Sequence, residues 1–455
     1  MKNTISIFLF LLTTVVGFSQ GWERFYEVNL ARNNFIDAIQ LPDGDYLILG
    51  NGGDLAPFPH TITRTNELGI EKWSRPLPQG LAPSKMFLLP SGNINLFSGH
   101  KILKIDTAAT ILDIVDVSPG IWSSSGVIRS FDGYITVRNT GEGTIWMRKL
   151  DWDGVPIWLK SANVDTFLTL GQTVATLDGG FLHAAANPPD IGLIKFDADG
   201  NLQWTTGTYV PNAQYVGVKV IAISDGGYLA LAYGGGNNRI LKFDASGALL
   251  WWKELNGFPQ LGARHIPVSE FMETADGGLA FTGYIHDIGP TIGFHPNPGV
   301  LKLNSTGDFE FIYTSPYEGT IKSILQSSDG GYHLAGKAVL ATGGSVDEDA
   351  QPYALKLSAN GVLYSSWLQG QIVFDQDQDC LPSAGELPLS GWIVKATTEN
   401  FNNYGVSDAT GRYSIGANPG AYTLEVLEPT NLWSPCVNPI MVNISNEGDT
   451  LSNDF

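Results

Sequence analysis

The stretch "FDQDQDCLPSAGE", Phe374 to Glu386, carries four carboxylates at a spacing that suits a hard cation. Asp375, Asp377, Asp379 and Glu386 fall at positions 1, 3, 5 and 12 of a loop. Those are the oxygen-ligand positions of a calcium loop, with Leu381 at position 7 offering its carbonyl. Ser383 stands at position 9, where a ligand is often passed through water. Cys380 occupies position 6, where Gly is usual. The spacing alone also fits a solvated acidic turn.

The chain's two cysteines, Cys380 and Cys436, both lie in this region. In an exported chain an isolated pair reads as a disulfide. It would close a loop of 56 residues, and loop entropy would contribute about 4 kcal/mol. A thiolate metal site or a catalytic cysteine is the alternative.

Export is read from the first residues. Lys2 supplies a positive start, Ile5 to Val16 is apolar but too short to span a bilayer, and Gly17 and Ser19 suit cleavage after Ser19. Residues 1–19 are thus expected to be a signal peptide. With no cysteine near the cleavage point, a lipid anchor is not expected. No other segment reads as a transmembrane helix. The expected location is secreted or on the outer cell surface. With a formal charge of −19 over 455 residues, the chain would be repelled by a polyanion, so nucleic acid is not an expected partner.

The elements that must position these residues come from a repeat. "LPDGDYLILG" at Leu41 recurs as "LPSGNINLFSG", "SFDGYITV", "LDGGFLHAA", "SDGGYLALA", "ADGGLAFTG" and "SDGGYHLAG". The turns, at 43, 91, 132, 178, 225, 276 and 329, are 41 to 53 residues apart, a blade-like period. Asp-Gly-Gly supplies positive φ for tight hairpins, and the alternating run after it reads as a half-buried strand. A second turn, as in "LKFDASGALLWW" at Leu241, follows most copies. One copy is therefore four antiparallel strands. Seven copies predict an all-β chain with a seven-bladed β-propeller over 20–369 and a small β-sandwich over 370–455. "GWERFYEVN" at Gly21 looks like an outer strand without its companions and would lock the ring, in competition with "VLYSSW" at Val362.

The repeat resembles the Asp-Gly-Gly-Tyr propellers common in exported bacterial proteins of the Bacteroidetes type, a group associated with type IX secretion. The resemblance implies architecture and says little of activity. From Gly370, the patterns "GQIVFDQDQDCLPSAGELPLSGWIV" and "SDATGRYSIGANPGAYTLEV" resemble the B-type repeat of serine-aspartate surface adhesins. That resemblance implies a prealbumin-like sandwich with structural Ca2+ in the acidic loop. Flanking helices are not expected, so the loop is not an EF-hand.

In a propeller, the stereotyped turns share one face and the variable loops the other. The longest variable loops carry His60, Arg264, His265, His286, Asp287, His295, Asp347, Glu348 and Asp349. With the channel mouth, they are the expected ligand-binding residues; ordinary solvent-facing loops are the alternative. Trp73, Trp158, Trp204 and Trp252 hold fixed places in the repeat and are expected between blades. No Gly-x-Ser-x-Gly, His-Glu-x-x-His or phosphate loop occurs. The expected function is a non-catalytic, monomeric binding or adhesion protein for a glycan or protein ligand, with the C-terminal domain as a calcium-stiffened spacer. The alternative is a propeller hydrolase or lyase acting on polysaccharide. The chain stops at "TLSNDF", inside what reads as a last strand, so truncation before a sorting domain is also open.

Overall fold

The computed structural model describes residues 21–26, 34–51, 59–117, 127–139, 143–164, 171–187, 190–209, 217–233, 238–255, 264–265, 267–287, 296–339, 350–364, 366–377, 380, 383, 385–398, 402–427, 435–436, 438–446 and 448–455. The expected signal peptide lies outside them. Strands make up the regular structure, and no α-helix occurs among the described residues.

Seven antiparallel sheets succeed one another through Leu357. The fifth is typical: Gly217–Ala222, Tyr228–Tyr233, Arg239–Phe243 and Leu249–Glu254 pair in chain order. Its second and third strands are almost wholly buried, and each flanking sheet packs an apolar face on it. The seventh sheet departs from this plan. It holds Glu318–Gln326, Tyr332–Val339 and Gln351–Leu357, and its outer strand is Trp22–Phe25 from the other end of the chain. Trp22 pairs with Lys356 and Phe25 with Tyr353. That pairing answers which segment takes the outer place. The "VLYSSW" segment instead leads into Ser366–Gln371, which joins a different sheet.

Three devices repeat between and within the sheets. The first is a clip between neighbours. The Ser224 N–H donates to Glu273 of the next sheet (2.7 Å), Ala275 N–H to Gln326 (2.7 Å) and Ser328 N–H to Gln40 of the first sheet (2.8 Å). The seventh and first sheets are thus joined in the same way as sheets adjacent in sequence, and their first strands lie side by side.

The second device explains the double glycine. In Asp276-Gly277-Gly278, Gly277 takes φ +76°, which the turn requires. Gly278 serves differently: a Cβ there would meet the ammonium of Lys302. Asp276 accepts from the Gly278 N–H (2.9 Å) and pairs with Lys302 (3.0 Å). The same pairing joins Asp132 to Lys149, Asp178 to Lys195, Asp225 to Lys242 and Asp329 to Lys356.

The third device seats an outer-strand aromatic under the second-turn glycine of the following sheet. A Cβ at Gly200 would fall 2.8 Å from Trp158, at Gly247 2.7 Å from Trp204, and at Gly69 2.5 Å from Trp22. Ala109 holds the corresponding turn position in the second sheet at φ +58°, and packs in the cluster that holds Trp73. In the fifth sheet Trp251, not Trp252, faces the glycine, Gly307. The expected inter-blade place of Trp252 is therefore corrected. Trp252 is 42% exposed under the guanidinium of Arg239, because alternation along Leu249–Glu254 puts neighbouring residues on opposite faces.

Beyond Ser366 the pairing changes. Ser366–Gln371 lies between Arg412–Ala417 and, in parallel, Thr450–Ser452. A four-stranded sheet runs in the order Asn402–Val406, Ile393–Thr397, Gly420–Leu427 and Ile440–Ile444. Leu368 and Ile415 of one sheet share a buried cluster with Val394 and Leu424 of the other. This unit touches the seventh sheet where the Asn418 amide donates to the Gly21 carbonyl, 2.7 Å away and buried.

Candidate metal loop, loop face and channel

The acidic loop follows the short strand Val373–Phe374, which pairs with Leu387–Pro388 and so brings the two ends of the loop together. A carboxylate oxygen from each of Asp375, Asp377 and Glu386 lies within 4.8 Å of the others. Asp379 and Leu381 lie outside the described residues. Backbone donors hold this arrangement. Glu386 accepts from the Ser383 N–H (2.8 Å) and the Gln376 N–H (3.2 Å), and Asp375 accepts from the Cys380 N–H (3.0 Å). Cys380 sits at φ +62°, a left-handed conformation that explains why Gly usually holds position 6. A disulfide joins it to Cys436, with the Cα atoms 5.7 Å apart. Both sulfurs are used in that bond, so neither is a thiolate ligand. What remains is a set of hard oxygens, the donor chemistry calcium takes.

The loop-face residues divide. Arg264 and His265 form a two-residue strand that pairs with Asp287 and His286 respectively. Four residues from two loops thus share one ladder. His60 precedes the strand Thr61–Thr65 and fixes its start, its carbonyl accepting from the Leu77 N–H (2.7 Å). Burial lowers its pKa below the usual imidazole value. His295, Asp347, Glu348 and Asp349 lie outside the described residues.

A cavity of about 490 Å³ is lined by residues from all seven first strands or the segments leading into them, among them Ile36, Phe87, Val127, Gln172, Val220, Glu270 and Lys322. Asp37 is 4% exposed beside it. Burial raises the Asp37 pKa, and Lys85 (3.4 Å) and the Met86 N–H (2.8 Å) oppose that. Lys219 lies 3.9 Å from Glu270. Sequence reasoning misses these channel groups. They are single polar residues in strands that resemble every other first strand. The buried lysines of the Asp–Lys pairs do leave a signal, a lysine between apolar residues at one fixed place, as in "LKF" and "LKL".

No protein-family profile matches the chain, and no curated protein matches it. Solved structures do, and those neighbours are β-propeller proteins. One is a streptogramin B lyase, at 11% identity and TM-score 0.49 over 74% of this chain and 98% of that one. A second is BamB from Moraxella catarrhalis, at 14% identity and TM-score 0.38 over 88% and 99%. A third is the WD40 β-propeller domain of Doa1, at 13% identity and TM-score 0.47 over 74% and 97%. The likeness is one of fold.

Proposed function

We propose that the chain is an exported or cell-surface binding protein without catalytic chemistry. Its seven sheets act as the blades of a seven-bladed propeller, closed by Trp22–Phe25 as the outer strand of the last blade. The repeat-bound residues are committed to clips, Asp–Lys pairs and aromatic–glycine seats. That leaves the variable loops to recognise a glycan or protein ligand. The observation that carries this reading is the ladder that brings Arg264 and His265 beside His286 and Asp287. A glycan array probed with the secreted chain tests it. Binding that weakens when Arg264 and Asp287 are both replaced by Ala supports the reading. Binding untouched by changes at the ladder would move the site elsewhere, and turnover of a polysaccharide on the array would make the chain an enzyme.

The C-terminal unit is proposed to be a prealbumin-like sandwich of the adhesin B type, serving as a spacer. Asp375, Asp377 and Glu386 would hold a structural calcium ion, with Asp379, the Leu381 carbonyl and Ser383 completing the set. The ion would replace carboxylate repulsion with coordination and so stiffen the module.

A further inference from the structure

The cavity among the first strands contains a cation that the scaffold does not use. Lys85 is paired with Asp37, and Lys219 with Glu270; Lys219 also donates to the Ser269 carbonyl. Lys322 lines the same cavity. Among the described residues it has neither a carboxylate partner nor a hydrogen-bond acceptor. Its side chain is exposed at the open cavity wall, and partial desolvation together with repulsion from Lys219 and Lys337 lowers its pKa. Lys85, Lys219, Lys322 and Arg129 thus stand against Asp37 and Glu270. Arg129 donates to the Leu88 carbonyl and covers the Trp152 ring, so among the described residues Lys322 is the cation left without a partner, in a chain that carries −19.

The backbone is shaped to put that charge there. Ile321 pairs with Gly336 and Ser323 with Ala335, so Lys322 is the extra residue of a β-bulge. A bulge re-aims its side chain out of the normal alternation. It needs Gly336 opposite, because a Cβ there would collide with the Thr320 carbonyl. The neighbouring first strands carry bulges too. Ser269 is the extra residue against Gly283 and Thr282, and Ile36 against Gly50 and Leu49. Three adjacent sheets of the ring thus depart from regular pairing beside one cavity.

We propose that this cavity binds a small organic monoanion, with Lys322 pairing to its oxyanion group and the apolar lining of Ile36, Phe87, Val127 and Ile221 covering its body. A volume of about 490 Å³ falls within the ~300–1,000 Å³ of small-molecule pockets. The carboxylate of Glu270 in the same wall disfavours a dianion and fits a ligand that carries a hydroxyl or amide donor as well. The proposal rests on the propeller being a binding platform, but it concerns the channel and not the loop-face ladder.

Benzoate and its neutral isostere benzamide are the probes, titrated by calorimetry against the full secreted chain at low and high salt. Benzoate is expected to bind at least about tenfold more tightly than benzamide and to weaken with salt. Lys322→Met should remove that preference, and Lys322→Arg should keep it. Lys322→Met should also leave the melting temperature unchanged or raised, since it relieves repulsion from Lys219 and Lys337; this separates lost binding from lost folding. Equal binding of the two probes, no binding of either in the millimolar range, or benzoate binding that survives Lys322→Met overturns the proposal. Any of these outcomes alongside a positive glycan array would sink the channel site and spare the loop-face reading.

Discussion

The imidazole of His333 lies stacked on the ring of Tyr46, with centroids 4.2 Å apart and planes at 19°. Trp22 meets both rings edge-on. His333 comes from the seventh sheet, Tyr46 from the first and Trp22 from the strand that completes the seventh. The seam between the first and seventh sheets is therefore built around a fully buried histidine. Burial, helped by the nearby Lys356 ammonium, lowers its pKa from 6.5 to about 3. The unfolded chain then takes up the proton more readily than the folded one. Stability is fully present above pH 6.5 and falls as the pH drops toward 3. The loss from this residue should reach roughly 2 kcal/mol by pH 5. Urea unfolding of the wild-type chain and of His333→Phe, compared from pH 7 to 5, should show the variant losing less stability by about that amount.

The Asp178–Lys195 pair predicts an asymmetry. Lys195 is 2% exposed, whereas the Asp178 side chain is 55% exposed. Asp178→Ala strands an ammonium that keeps only the Phe196 carbonyl and Gln203 as acceptors. It should cost about 2 kcal/mol, less than a fully buried pair because water reaches the site. Lys195→Met removes the buried charge itself and should cost less. Chemical denaturation orders the two; a reversed order would mean that the lysine's stem, and not its charge, is what the sheet needs.

Acid should also act on the turns. Burial raises the Asp276 pKa, but hydrogen bonds from Thr274, the Gly278 N–H and Lys302 outweigh it and hold the carboxyl at about 2. Its stabilisation is complete above the unfolded value of 3.8 and disappears as the pH falls through 2. Carbon-detected titration of the Asp276 carboxyl by NMR should give a midpoint well under that of a free aspartate.

The two adjacent tryptophans separate the aromatic–glycine seat from simple hydrophobicity. Trp251→Ala should cost about 2 kcal/mol, because the ring supports Gly307 and its loss leaves a gap between sheets. Trp252→Ala removes an exposed ring and its contact with Arg239, and should cost under about 1 kcal/mol. Melting temperatures of the two variants provide the comparison.

Calcium binding by the C-terminal loop is expected to show in the melting of the full chain. At a hundredfold excess over its dissociation constant, an ion bound only by the folded state adds about 2.7 kcal/mol. The C-terminal transition should rise in millimolar calcium and fall in chelator, and Asp377→Ala should remove most of the difference. An unchanged transition would leave the loop an acidic turn clamped by a disulfide.

Much of this was legible in sequence where a residue type answers a backbone demand. Asp-Gly-Gly marks a turn that needs positive φ, and the second-turn glycine marks a ring seated beneath it. The cysteine pair was legible too, since the chain's two sulfurs fall in one small unit and have few other partners. The choice between Trp251 and Trp252 was not, because a one-residue difference in register reverses faces and both residues fit the pattern. Nor was the channel. Lys85, Lys219, Glu270 and Lys322 are far apart in the chain, and only the succession of sheets brings them to one wall. The bulge at Lys322 left no mark beyond an ordinary "GTIKSI".

The place of Trp22–Phe25 also sets an order of events. This strand is made first, yet its partners, Tyr353 to Lys356, are made some 330 residues later. Contacts between such distant segments form slowly, because the loop entropy is lost before any contact repays it. The first strand must therefore wait, unpaired, while the intervening sheets form. The seventh sheet is complete only once Gln351–Leu357 has been made, with the C-terminal sheets still to follow. The making of that late strand, and not the folding of any single repeat, is the step at which the first and seventh sheets can join.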